Sequence, residues 1–225
     1  DTAKVTAKAI VDVTKSMSAT EGKAGSGNYT VTLHYRNTST VDATQVTLID
    51  ALPTGMLYVE GSARWSETGT TALTDTNPSD THGSTNTIRY CAYDISCMGV
   101  AEANRDADSA STNQVTAIIN EVGAGASGDL KFEVKISSNL SASVLTNIGE
   151  YEFNDSAVVT TRFNTNAVKF EVLQTPNVVT NGSSTDKTDL VNEPIVVANT
   201  AQNSTISFQD YVWNTGNGAD SFDIS

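Results

Sequence analysis

Leu130, Phe132, Val134 and Ile136 alternate without a break with Lys131, Glu133 and Lys135. A side-chain period of two describes an extended strand with one buried and one wetted face, and no helix gathers such a set on one side. The same period runs through most of the chain. Val5, Ala7, Ala9, Val11 and Val13 share one face. Tyr29, Val31, Leu33 and Tyr35 share another, opposite Thr30, Thr32, His34 and Arg36. Val46 and Leu48 continue it, as do Ile88, Tyr90 and Ala92, then Val115, Ala117 and Ile119, then Val168, Phe170 and Val172. Gly, Asn and Asp mark the turns between these runs, and nowhere does the three-to-four spacing of a long amphipathic helix develop. The expected fold is all β, an antiparallel sandwich of about nine or ten strands.

Two polar stretches, 66–87 and 94–113, are rich in Thr, Asp, Asn and Ser. They predict loops or a peripheral hairpin, so that residues 1–173 form one sandwich carrying a long insertion at 66–113, with Trp65 at its edge in the core. Residues 174–192 contain Pro176 and the run from Asn181 to Ser184, and predict a linker. Beyond it, Thr205 to Gly216 echoes Thr30 to Ser39, and Ala219 to Ile224 echoes Ala43 to Leu48. Residues 193–225 are therefore expected to be the first part of a second sandwich repeat. Half a sandwich exposes an apolar face and an open strand edge, and both are templates for pairing. Ile206, Phe208 and Val212 are the expected assembly edge, to be completed by further chain or by another subunit.

The net charge of −13, from 13 basic and 26 acidic residues, excludes nucleic acid, which needs clustered Lys and Arg against its phosphates. It disfavours anionic membrane surfaces as well, and no apolar run reaches the length of a membrane span. The first residue is Asp1 rather than Met, which leaves room for a leader already removed. Cys91 and Cys97 fit no zinc or haem motif, and in an exported chain they predict a local disulfide of about 2 kcal/mol at the base of the insertion.

No catalytic constellation stands out. Gly123, Gly125 and Gly128 match a dinucleotide-binding glycine spacing, but an alternating strand follows where that motif needs a helix, so they mark a β-turn. His34 and His82 are the only imidazoles, and there is no nucleophile elbow. Asp75, Asp80, Asp94, Asp106 and Asp108 are oxygen donors in the insertion, without the spacing of a calcium loop. No enzyme, cofactor or metal is expected. Asn37 and Asn214 suit turns, where their amides bond the backbone, and Asp50 suits a corner where it accepts backbone N–H groups.

Tyr29 to Val31, Asn37 to Ser39, Val46 to Gly55 and Gly125 to Val134, with Asn147-Ile148 and Asn166-Ala167 at expected strand starts, together resemble the bacterial conserved repeat called domain of unknown function 11. The resemblance covers most of residues 1–173 and half of a second copy. Ser39 replaces a turn glycine, and the 66–113 insertion departs from the pattern. The resemblance implies immunoglobulin-like modules strung along large exported or cell-surface bacterial proteins, with no catalytic residues. It implies a structural subunit or stalk of a surface fibre, filament or surface layer, whose partners are other copies or neighbouring modules. The alternative is an adhesin gripping a host or surface glycan, or a protein, through 66–113, with Tyr90 and Tyr93 as contacts. A Lys–Asn isopeptide bond, known in some surface immunoglobulin-like domains, needs a Lys, an Asn and a buried acid together. Lys8, Lys131 and Lys135 are the strand lysines considered for it, and all three are expected to point outward.

Overall fold

The computed structural model describes residues 7–75, 86–92, 114–155, 160, 162–197 and 199–223. The chain divides into two units, Asp1–Val172 and Leu173–Ser225.

The first unit is an antiparallel sandwich of the immunoglobulin-like kind. One sheet runs β1 (Val11–Met17), β3 (Tyr29–Asn37), β9 (Ser127–Ile136), β5 (Met56–Tyr58), with β6 (Arg64–Trp65) also paired to β9. The other runs β2 (Glu21–Lys23), β11 (Phe163–Leu173), β10 (Ser143–Asn154), β4 (Ala43–Ala51), β8 (Gln114–Val122), β7 (Ile88–Ala92). The inward faces are those the alternation defines. Val11 and Val13, then Val31, Leu33 and Tyr35, then Leu130, Phe132, Val134 and Ile136 are buried from the first sheet. Val46 and Leu48, then Val115, Ala117 and Ile119, then Leu145, Tyr151 and Phe153, then Phe170 and Val172 meet them from the second. Trp65 is fully buried, its indole N–H donating to the Tyr35 hydroxyl at 2.7 Å, so its polar atom is satisfied inside the core. In β4 the alternation breaks: Gln45 sits at φ 51° and the register to β10 shifts beside it, so Ala43 and Val46, three apart, are both buried.

The glycine-rich segment is the β8–β9 turn. Gly125 sits at φ 72°, a left-handed turn conformation that favours glycine, and the Ala126 N–H closes the turn on the Gly123 carbonyl. The first strand differs from expectation in its bounds: the ladder to β3 spans Val11 to Met17, and residues 1–6 lie outside the described residues. The 66–113 stretch is not wholly peripheral. Its Ile88, Tyr90 and Ala92 form β7 and enter the core, because β8 presents a free edge for them to pair with. Residues 76–85 and 93–113 lie outside the described residues.

The 174–192 segment is more than a linker. It holds β12 (Val178–Asn181), which pairs with β13 (Tyr211–Asn214) in the second unit. This pair repeats the first unit's opening. Val178 lies opposite Asn214 as Val11 lies opposite Asn37. Each Asn then makes the same turn: Asn37 Nδ2 donates to the Val41 carbonyl and its Oδ1 accepts the Ser39 N–H. Asn214 Nδ2 donates to the Gly218 carbonyl and its Oδ1 accepts the Gly216 N–H. Ser39 therefore does the work of the turn glycine it replaces. Unlike the first unit, the second buries no apolar side chain among the described residues; only Asn181 and Ser183 are buried.

Candidate functional site

Lys15, Asp50 and Asn147 bring three polar side chains together inside the apolar core of the first unit. Lys15 follows Val11 and Val13 in phase on β1, Asp50 follows Val46 and Leu48 on β4, and Asn147 follows Leu145 on β10. All three therefore point inward, with whole-residue exposures of 4%, 0% and 3%. The Lys15 ammonium nitrogen sits 2.6 Å from both carboxylate oxygens of Asp50. Asn147 Nδ2 lies 3.5 Å from Asp50 Oδ2 and 4.0 Å from the Met56 sulfur. Asn147 Oδ1 has no hydrogen-bond partner.

Burying a lysine, an acid and a half-satisfied amide together is costly. Burial pushes the Lys15 pKa down and the Asp50 pKa up, and in each case it outweighs the attraction between the two. Both shifts favour the neutral pair, a free amine beside a protonated carboxyl. A half-turn of the Asn147 amide exchanges its two ends and brings Oδ1 to Asp50, where the carboxyl proton satisfies it. A carboxyl that donates to an amide oxygen polarises the carbonyl carbon, and the amine beside it is a nucleophile. The cluster thus holds the three parts of an amide-transfer reaction, in a site closed to water.

The sequence reading missed this site. Lys8, 72% exposed at its side chain, pairs with Asp155, and Lys131, half-exposed, pairs with Asp129, both on the outside as expected. Lys15 escaped notice although it continues the inward set from Ala9 to Val13. Asp50, expected as a corner carboxylate accepting backbone N–H groups, bonds the Lys15 amine instead. Asn147, expected as a strand start, lies within β10 with its side chain beside Asp50.

The other expected site residues fall as follows. Tyr90 is not a ligand contact: it is fully buried, its hydroxyl donating to Tyr58 at 3.0 Å, because β7 turns it into the core. Tyr93 lies outside the described residues. Asp75 is no solvated loop acid, since it accepts the Tyr58 hydroxyl at 2.6 Å and the Gly61 N–H at 2.8 Å; Asp80, Asp94, Asp106 and Asp108 lie outside the described residues. His34 is exposed and pairs with Asp129 through Nδ1 at 2.7 Å. No group of three or more metal-ligating side chains occurs among the described residues. Cys91 is buried and is not a free thiol, while Cys97 lies outside the described residues. Thiol titration of the native, unreduced protein is expected to find no free cysteine; two titrating thiols would refute the expectation of a Cys91–Cys97 disulfide.

Ile206, Phe208 and Val212 are 41%, 55% and 37% exposed. Counted back from the shared Asn, Phe208 and Val212 correspond to Val31 and Tyr35, each 1% exposed in the first unit. The same count places Gly182 where β1 carries Lys15, so the second unit repeats the first unit's opening pair of strands without its lysine.

No helix among the described residues is long and apolar enough to cross a membrane. No protein-family model matches the chain, and no curated protein matches it. Among solved structures, it is similar to a variant of BcpA, the major pilin subunit of Bacillus cereus, at 11% identity and a TM-score of 0.52, over 92% of this chain and 55% of that one. The full-length major pilin SpaD of Corynebacterium diphtheriae matches at 14% identity and a TM-score of 0.48, over 92% and 47%. The chain spans about half the length of these pilins. The likeness to BcpA is one of fold.

Proposed function

We propose that this chain is a structural module of an exported bacterial surface fibre or surface layer, and that its first unit locks itself with an amide bond between Lys15 and Asn147. The observation that carries the lock is the buried cluster: the Lys15 amine, the Asp50 carboxyl and the Asn147 amide with an unpartnered oxygen, all directed into one core. The Lys15 amine attacks Asn147 Cγ while Asp50 gives its proton to Oδ1, forming a tetrahedral centre. Its collapse breaks the Cγ–Nδ2 bond. Asp50 relays a proton from Lys15 to the departing nitrogen, ammonia leaves, and the Oδ1 proton returns to Asp50 as the carbonyl re-forms. One amine and one primary amide become one secondary amide and one ammonia, with no redox change. An amine and a primary amide are replaced by one secondary amide beside the Asp50 carboxyl.

The product suits a fibre. β1 belongs to one sheet and β10 to the other, so the bond joins the two layers. Tension entering ahead of Lys15 and leaving after Asn147 bypasses everything between. The fold likeness to a major pilin subunit supports the same reading. Cyanogen bromide cleavage of the reduced chain at Met17, Met56 and Met98 tests it. The fragment ending at Met17 is expected to stay covalently joined to the one beginning at Gly99. Separate fragments would refute the lock.

Assembly falls to the second unit, whose uncovered apolar positions are those a sandwich buries. The partner is a further β module or another copy of the chain, laid on the face carrying Phe208 and Val212. Light scattering of the whole chain is expected to show association that Phe208→Lys weakens at least several-fold, because a charge on a buried apolar contact costs about 2 kcal/mol or more. Equal association by both would exclude this face. The adhesin alternative loses Tyr90 as an anchor.

A further inference from the structure

Resting on the Lys15–Asn147 reading, we propose that Asn166 is the positioning residue of the amide-forming step, assisted by Thr165. β1 is the edge of its sheet, so at Lys15 the backbone has no neighbouring strand on its outer side. Asn166 fills that place with its side chain. Its Oδ1 accepts the Lys15 N–H at 2.8 Å and its Nδ2 donates to the Lys15 carbonyl at 2.9 Å. Both main-chain groups of Lys15 therefore point away from β3, and one amide side chain supplies the two bonds a strand would give. The clamp falls on the residue that carries the nucleophile.

The residue before Asn166 reaches the other reactant. Thr165 is buried, and its hydroxyl oxygen accepts the Gly149 N–H at 2.9 Å. Gly149 sits where the β10–β11 register shifts, two residues beyond Asn147. A Cβ at Gly149 would lie 3.2 Å from the Ile49 carbonyl oxygen and 3.3 Å from Thr165, so β10 approaches both neighbours closely here. Consecutive residues of β11 thus fix the main chain beside both reacting side chains, Lys15 from the opposite sheet and Asn147 from the adjacent strand. Misplacing either reactant by about 1 Å is enough to slow such a reaction about a hundredfold.

The test follows ammonia loss in time. Unfolded chain recovered from inclusion bodies is refolded, quenched at intervals and weighed by mass spectrometry, while circular dichroism follows the folded fraction. A residue that only supports the fold would change the folded fraction and leave the rate per folded molecule unchanged. Asn166→Ala is expected to slow that rate roughly ten- to a hundredfold. Asn166→Asp, which keeps the acceptor for the Lys15 N–H and loses the donor, is expected to restore part of it, and Thr165→Val to slow it less. A per-molecule rate for Asn166→Ala within twofold of the unaltered chain overturns the proposal. If Asn166→Ala does not fold, Asn166→Asp decides by the same criterion, its slowing supporting the proposal and a rate within twofold overturning it. An unaltered chain that folds and never loses ammonia overturns the lock itself, and this proposal with it.

Discussion

Asp50→Ala is expected to be the most damaging single substitution in the first unit. It leaves the Lys15 amine inside the core without its acid, and stranding one member of a buried pair costs about 3–5 kcal/mol. It also removes the proton donor, so the amide never forms. A cross-link closing a loop of well over a hundred residues contributes about 5 kcal/mol on the chain-entropy account. Together the losses approach the whole stability of an ordinary domain, about 5–15 kcal/mol. The chain should be recovered largely unfolded, or melt tens of degrees lower. Replacing the pair together, Lys15→Met with Asp50→Leu, should return a folded but uncross-linked unit, because apolar residues of similar size remove the desolvation cost. A melting temperature for Asp50→Ala within a few degrees of the unaltered chain would contradict the assigned role.

Lys15→Met isolates the cross-link from the stranded amine. Asp50 remains, held protonated by its burial and bonded to Asn147. The expected loss is that of the cross-link alone, about 5 kcal/mol, or roughly 10–20 °C in Tm for a unit of this size. Calorimetry should show Asn147→Ala falling by a similar amount. The bond-forming rate should also be level across neutral pH. The neutral pair and the ion pair hold the same single proton, so changing pH does not exchange one for the other. Acid adds a second proton and removes the amine; alkali removes the first and takes away the acid. The rate therefore falls at both ends, and a steep slope through neutrality would argue against a coupled Lys15–Asp50 pair.

The fold was legible because alternation reports burial directly: Leu130 to Ile136 and Tyr29 to Tyr35 lie as their period requires. The likeness of two turns was legible in Asn37 and Asn214, whose side chains make matching bonds. What failed did so for physical reasons. The strand from Ile88 to Ala92 was legible in its alternation, but Tyr90 was expected at a ligand surface, and pairing with the free edge of β8 turns it into the core. β12 was hidden because Pro176 and Asn181 read as breakers, although the Asn181 amide folds the following turn through the Asp186 and Thr188 carbonyls. The reactive cluster was half-legible. A lysine, an aspartate and an asparagine each stood on the inward phase of a strand, and one such residue alone is commonly an edge effect. Their meeting depends on the two sheets packing face to face, with Lys15 and Asn147 far apart in sequence. The clamp by Asn166 could not be foreseen, since it depends on which edge of β1 is free.

The most direct measurement is the intact mass of the native protein after denaturation and reduction. Formation of the Lys15–Asn147 amide predicts a chain lighter than its sequence by the mass of one ammonia, with Lys15→Met and Asn147→Ala each matching their full sequence mass. A native, folded chain at its full sequence mass would contradict the account.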